Sequence, residues 1–368
     1  MTCRMALAGM TLLCLGAAQA LEITPQVIAK GLHNPWAVAF LPDGKFLVTE
    51  RPAHMRIVQA DGRLSAPLQG LPEIAVGGQG GLLDVVLDSD FAHNRTLYFC
   101  FSEPGAEGTN GTALAKAQLS ADEQTLENLQ VIFSQSPKKA SRLHFGCRLV
   151  QHPDGTLLLA LGERSHFKEE AQDLQSHLGK VIRIHKDGSV PQDNPFAGHS
   201  NALPEIWSYG HRNPQGAALA PDGSLWVNEH GPQGGDEINR IEAGKNYGWP
   251  VITYGVNYGG GKIGQGITHQ EGMEQPAHQW TPSIAVSGMT FLTSDRYPEW
   301  KGQMVVGALK AQRLERITLD GQQVTKVEQL LPNLGQRVRD VRQGPDGWLY
   351  VLTDASQGQL LRLHTSEP

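Results

Sequence analysis

His144 and Glu163 are the residues best suited to move a proton. His144 opens the phrase His144-Phe145-Gly146, where the glycine leaves room for a ligand to approach. Glu163 closes Leu161-Gly162-Glu163, which ends the neighbouring strand of the same expected hairpin. A carboxylate so placed fixes one imidazole tautomer and supports the ring as a general base. The chain has 14 histidines, and others, such as His152 and His177, read as ordinary surface residues.

Four cations occur at comparable places. Arg212 lies in Gly210-His211-Arg212-Asn213-Pro214, and Lys310 ends Val306-Gly307-Ala308-Leu309-Lys310. Arg337 and Arg339 lie in Gln336-Arg337-Val338-Arg339-Asp340. Like charges gathered in one space repel by roughly a few kcal/mol each at an effective dielectric near 20. Asp84, Asp236 and Asp340 are expected to pair with some of them, and the remainder calls for a polyanionic ligand. The stretch Asn228 to Asn239, rich in glycine and carrying Asp236 and Glu237, offers hard oxygen donors suited to Ca²⁺. It lacks the carboxylate spacing of an EF-hand, so on the residues alone the metal signal is weak and a plain polar loop is the favoured reading.

What must position these groups is a repeat. An alternating apolar strand, a Pro-Asp-Gly turn and a second apolar strand recur at Pro42-Asp43-Gly44, Pro153-Asp154-Gly155, Pro221-Asp222-Gly223 and Pro345-Asp346-Gly347. Two looser copies run from Gly81 to Phe101 and from Ser287 to Gly307. Proline presets the first corner, aspartate bonds the adjacent backbone, and glycine accepts positive φ. Period-two alternation marks strands. Six such hairpins, each with room for an outer pair, predict an all-β, six-bladed propeller of four-stranded antiparallel blades. The innermost strands would line a central channel, with the residues just before them gathered at one rim. Gln79, His144, Arg212, Asn213, Arg337 and Arg339 all fall there.

The ends and the charge bound the setting. Residues 1–20 read as a signal peptide: Arg4, an apolar run from Met5 to Ala17, then Ala18-Gln19-Ala20 for cleavage. That predicts export to the periplasm, with residues 21–368 forming one catalytic domain. No segment is long enough to span a bilayer. With 31 Lys+Arg against 37 Asp+Glu and no basic run, the chain is not a nucleic-acid binder. Of four cysteines, Cys100 and Cys147 would survive cleavage, and two buried free thiols are expected rather than a bridge.

Several longer phrases now carry a resemblance. Gly78-Gln79-Gly80-Gly81-Leu82-Leu83-Asp84, His144-Phe145-Gly146, Glu205 to Gly210, Arg212 to Gly216, Asn228 to Pro232, Gly235 to Asn239 and Asn246 to Pro250 resemble, in order, the soluble aldose sugar dehydrogenases that use pyrroloquinoline quinone (PQQ). The resemblance implies that the polyanion is tricarboxylated PQQ, held by Lys310, Arg337 and Arg339, with Gln79 and Asn213 adding hydrogen bonds and Tyr258 a weaker contact. It implies Ca²⁺ on the carbonyls of Gly231 and Pro232, and a second Ca²⁺ at Glu237 and Tyr247. His144, oriented by Glu163, would take the proton of the anomeric hydroxyl of an aldose, and Arg212 would meet charge developing on the quinone. An external electron acceptor completes the turnover, and a monomer is expected.

Two positions depart from the family pattern. Cys147 stands where a second glycine usually follows His-Phe-Gly, close enough to react with a quinone. Glu163 replaces an aspartate. A Ca²⁺-dependent propeller lactonase and a non-catalytic binding propeller are the competing readings.

Overall fold

The computed structural model describes residues 22–365. The leader expected over residues 1–20 lies outside the described residues. Among those described, no helix is long and apolar enough to cross a membrane.

Six antiparallel sheets surround one axis, and their innermost strands contact one another all the way round. These inner strands are Pro35–Phe40, Leu82–Leu87, Gly146–Gln151, Pro214–Leu219, Val286–Phe291 and Val338–Gln343, opening blades 1 to 6 in chain order. The expected turns sit at the outer end of each inner hairpin. Gly44, Gly155, Gly223 and Gly347 have φ between 71° and 87°, the region glycine enters without steric cost. Between the blades, alternating side chains such as Leu47, Val85, Leu159, Val227 and Val351 are fully buried and make the core.

Five blades have four strands, and blade 1 has three. Its fourth position is taken by residues 64–68, which give Ser65 N→Ile57 O and Leu68 N→Met55 O, both 2.8 Å, but no regular ladder. Pro67 has no N–H to donate in that stretch. Blade 6 is completed from the other end of the chain: Ile23–Leu32 pairs with Gly358–Thr365.

Every inner strand slips register near its first residues. The extra residue in blades 1, 3, 4 and 6 is Trp36, Cys147, Gln215 or Arg339, each six residues before the proline of its turn. Such a bulge bends the strand and re-aims the side chain it carries. The fold uses this to turn Trp36, Gln215 and Arg339 into the channel mouth.

Two expectations about burial need correction. Cys100 and Cys147 are joined in a disulfide, with Cα atoms 5.9 Å apart, not free thiols. Their separation of 47 residues hid that blades 2 and 3 bring them face to face. Bridged, Cys147 presents no thiolate to a quinone. His177 is buried, with its Nδ1 accepting from Ser136 N at 3.0 Å.

Candidate active site

The bulged mouth encloses a cavity of about 260 Å³ to which all six blades contribute. Trp36 and Arg51 come from blade 1, Gln79 and Leu83 from blade 2, and Phe145 and Gly146 from blade 3. Asn213, Gln215 and His230 come from blade 4, Ala285 and Leu309 from blade 5, and Arg337, Arg339 and Asp354 from blade 6. Lead-in residues distant in sequence therefore do meet.

The charge of this cavity is unbalanced. Asp354 is its single carboxylate, and Arg339 and Arg337 share it at 3.0 and 3.4 Å. Burial would raise the Asp354 carboxyl, yet Arg339, Asn34 and Arg337 hold it down to about 2. Arg51 donates to the carbonyl of Gly78 and has no carboxylate partner among the described residues. The Nε of Arg339 is buried without a partner. Three guanidinium groups against one carboxylate fit a ligand with several negative charges.

The three aspartates expected to pair with these cations lie elsewhere. Asp84 and Asp340 sit deeper on the inner strands with Arg148 and Arg342. Asp236 accepts from the N–H groups of Gly231 and Ala285 at 3.0 and 2.7 Å and from Ser283. For Asp84 and Asp340 the physical reason is depth, because inner-strand side chains of blades 2 and 6 point into the channel below the mouth, while Asp236 starts the third strand of blade 4.

His144 precedes the lining residues Phe145 and Gly146 but does not itself line the cavity, and it is 7 % exposed. Its Nδ1 lies 3.0 Å from Glu163 Oε2, and its backbone N–H donates to Gln79 Oε1 at 2.8 Å. With Nδ1–H donated to Glu163, the neutral ring keeps its lone pair on Nε2. Burial holds the His144 pKa below the ordinary histidine value against the pull of Glu163, while Arg212 and Arg164 add to the lowering. The ring is therefore neutral near pH 7, the state a base requires. Glu163 Oε1 is buried and unpaired.

Arg212 stacks over Trp249 at 5.2 Å and donates to Gly231 O at 2.8 Å and His230 O at 3.2 Å. A guanidinium thus engages one of the carbonyls expected to bind Ca²⁺, and Arg212, expected at the common cavity, lines a small neighbouring space instead. Beside it, Glu229, Glu237, Gly231 and Tyr247 line a second space of about 10 Å³, the size of one water or ion. Burial and the neighbouring Glu229 push Glu237 well above the usual carboxylate range. Two crowded acids around a one-ion void fit a cation. The Tyr247 hydroxyl donates to Arg240 O and accepts from Glu242 N, so the hydroxyl is already engaged.

Lys310 and Tyr258 stand apart. Both are exposed, Tyr258 at 74 %, and neither lines the cavity, although Leu309 beside Lys310 does. Arg51, Trp36, Gln215 and Asp354 are lining residues not singled out as contacts from sequence. Aligning the repeats on the turn proline would have found Trp36 and Gln215 at the offset of Arg339.

The family model for glucose/sorbosone dehydrogenases matches residues 32–362. The chain is 47 % identical over 358 residues to the aldose sugar dehydrogenase YliI of Escherichia coli, covering 96 % of each. It resembles the crystal structure of the soluble E. coli aldose sugar dehydrogenase in its apo-form, with a TM-score of 0.91, 46 % identity, and 94 % and 100 % of the two chains covered. The PQQ-bound aldose sugar dehydrogenase of Streptomyces coelicolor aligns with a TM-score of 0.77 at 28 % identity, covering 94 % and 99 %.

Proposed function

The chain belongs to the glucose/sorbosone dehydrogenase family, and from that membership we propose that it oxidises aldose sugars at C1 to lactones, using PQQ and Ca²⁺. The observation that carries this is a neutral, carboxylate-oriented histidine next in sequence to Phe145 and Gly146, which line a cavity whose cations outnumber its carboxylates.

When bound, PQQ supplies an electrophilic quinone that accepts a hydride, and Ca²⁺ supplies Lewis-acid polarisation. Arg337 and Arg339 would hold its carboxylates, with Gln79 and Asn213 as hydrogen-bonding partners from the lining, and Lys310 and Tyr258, exposed outside the cavity, would be outer contacts. The carbonyls of Gly231 and Pro232 would carry one metal, and Glu237 with Tyr247, which line the small space beside Gly231, the second. Glu163 keeps the Nδ1 proton of His144, so Nε2 takes the proton from the anomeric hydroxyl. Arg212 steadies negative charge that develops opposite the base. The residues thus bind, orient and move one proton, while an external acceptor takes the electrons. Export to the periplasm is part of the same proposal.

Apoprotein reconstituted with PQQ and Ca²⁺ should reduce a redox dye when given an aldose. Lactone hydrolysis without dye reduction would replace this reading with the lactonase.

A further inference from the structure

Cys147 occupies the bulge position of blade 3, equivalent to Trp36, Gln215 and Arg339 in blades 1, 4 and 6. Its register partners show the slip: Ala160 faces Arg148, and Leu161 faces Gly146, leaving Cys147 as the extra residue. Of these four residues it alone has positive φ, at 78°. Gly146 before it has φ 65° and His144 has φ 50°. Two non-glycine residues in the left-handed region within four positions are disfavoured by their own Cβ atoms. They persist only where the surroundings over-determine the backbone.

Those surroundings can be named. His144 N donates to Gln79, Thr112 Oγ1 donates to Phe145 O at 2.8 Å, and Gly146 N donates to Asn213 Oδ1 at 3.3 Å. The Arg164 guanidinium covers the Phe145 ring at 3.8 Å. The covalent member is the bridge. Cys100 sits fully buried in the second strand of blade 2, paired with Leu114, between Phe99 and Phe101. Where Trp36, Gln215 and Arg339 reach into the cavity, Cys147 is turned back and tied to the neighbouring blade.

We propose that the Cys100–Cys147 disulfide is a positioning element for His144: it pins the left-handed bulge that presents the ring to Glu163. The proposal rests on the reading of His144 as the base. Opening the bridge frees Cys147 to relax toward negative φ, which drags Gly146 and the ring away from Asn213 and Glu163. Glycine at 147 takes the same conformation without strain, so it should serve in place of the bridge.

The test compares two bridge-free forms of the PQQ-loaded, Ca²⁺-loaded enzyme. Cys100→Ser with Cys147→Ser keeps a side chain at the bulge, and Cys100→Ala with Cys147→Gly removes it. The serine pair should lose roughly tenfold in kcat with KM little changed, below the hundredfold that a 1 Å misplacement can cost. Its His144 ring should also titrate differently by NMR in the apoprotein, where Glu163, Arg164 and Arg212 are the charged neighbours. The glycine pair should restore kcat to within about twofold of wild type if conformation is what the bridge supplies. Equal behaviour of the two pairs, whether both active or both impaired, overturns the proposal. So does non-reducing peptide mapping that finds the two cysteines unlinked. An inactive wild type whose serine pair still shifts the NMR titration would instead overturn the dehydrogenase reading and leave the positioning role standing.

Discussion

Arginines and aspartates gather at two depths of the channel, on the inner strands below and mainly at strand ends at the mouth, and the two layers are built to opposite ends. In the deeper layer Arg148 lies 3.0 Å from Asp340 and 3.6 Å from Asp84, and Arg342 bonds both acids as well. Two cations and two carboxylates close a ring, and Arg148 also donates to the carbonyls of Gln215 and Arg339. At the mouth, Arg337 and Arg339 divide Asp354, and Arg51 has no carboxylate partner among the described residues. Charge balanced inside the fold belongs to the fold, and charge left over belongs to a ligand. Arg339, Asp340 and Arg342 share one strand, yet the first serves the mouth and the other two the closed ring below it.

That contrast can be broken by experiment. The largest effect should come from the base beside the cavity: His144→Ala should lower kcat by about 10² to 10⁴, the usual worth of a general base, with PQQ retention largely kept. A variant that turns over normally would remove the base from the mechanism. Next, Arg148→Met should cost about 3–5 kcal/mol of stability, because it strips Asp84 and Asp340 of a buried partner. Urea unfolding of the apoprotein measures this, and a neutral result would erase the distinction between layers. Arg337→Ala should do the reverse. Its side chain is 47 % exposed, so stability should move by less than about 1 kcal/mol. PQQ binding, followed by equilibrium dialysis, should weaken roughly tenfold with the loss of a charge-assisted hydrogen bond.

The smallest expected effect is a pH dependence of the apoprotein. Burial lowers His144 below the ordinary histidine value and pushes His230 down to about 4. Between those folded values and the unfolded value near 6.5, the unfolded chain binds more protons. Stability should thus be full above about pH 6.5 and decline as pH falls toward 4. His144→Gln should flatten part of that slope, and an unchanged slope would assign the dependence to other groups.

How far the sequence carried these conclusions depended on locality. Repeated turns are local, so the blade count was legible, as was the hairpin that sets His144 beside Glu163. Arg337, Arg339, Gln79 and Asn213 followed from the same register. Pairings across blades were not local. Asp354 ends the second strand of blade 6, after Leu349–Thr353, and nothing in its own neighbourhood announces that it faces two arginines. Asp84 and Asp340 looked like mouth residues because depth along a channel is set by the bulge, which composition does not reveal. Cys147 was visible as a missing glycine, but its partner needed the geometry of two blades. Lys310 shared the strand-end position, yet its side chain turned to solvent.

The pairing of Ile23–Leu32 with Gly358–Thr365 gives the protein a clasp, and a clasp has an order of operations. Its two halves are made at opposite ends of synthesis, so blades 1 to 5 must wait as an open arc while the chain is finished. Joining ends so far apart in sequence is the slow, non-local kind of contact. Until they join, blade 6 is incomplete, and Arg337, Arg339 and Asp354 have no settled place beside the other five blades. A ligand that needs all six blades then binds only finished rings and shifts the balance toward them by mass action. Cofactor loading in this architecture would double as an inspection of assembly: a ring that cannot hold its ligand is one whose clasp has not shut.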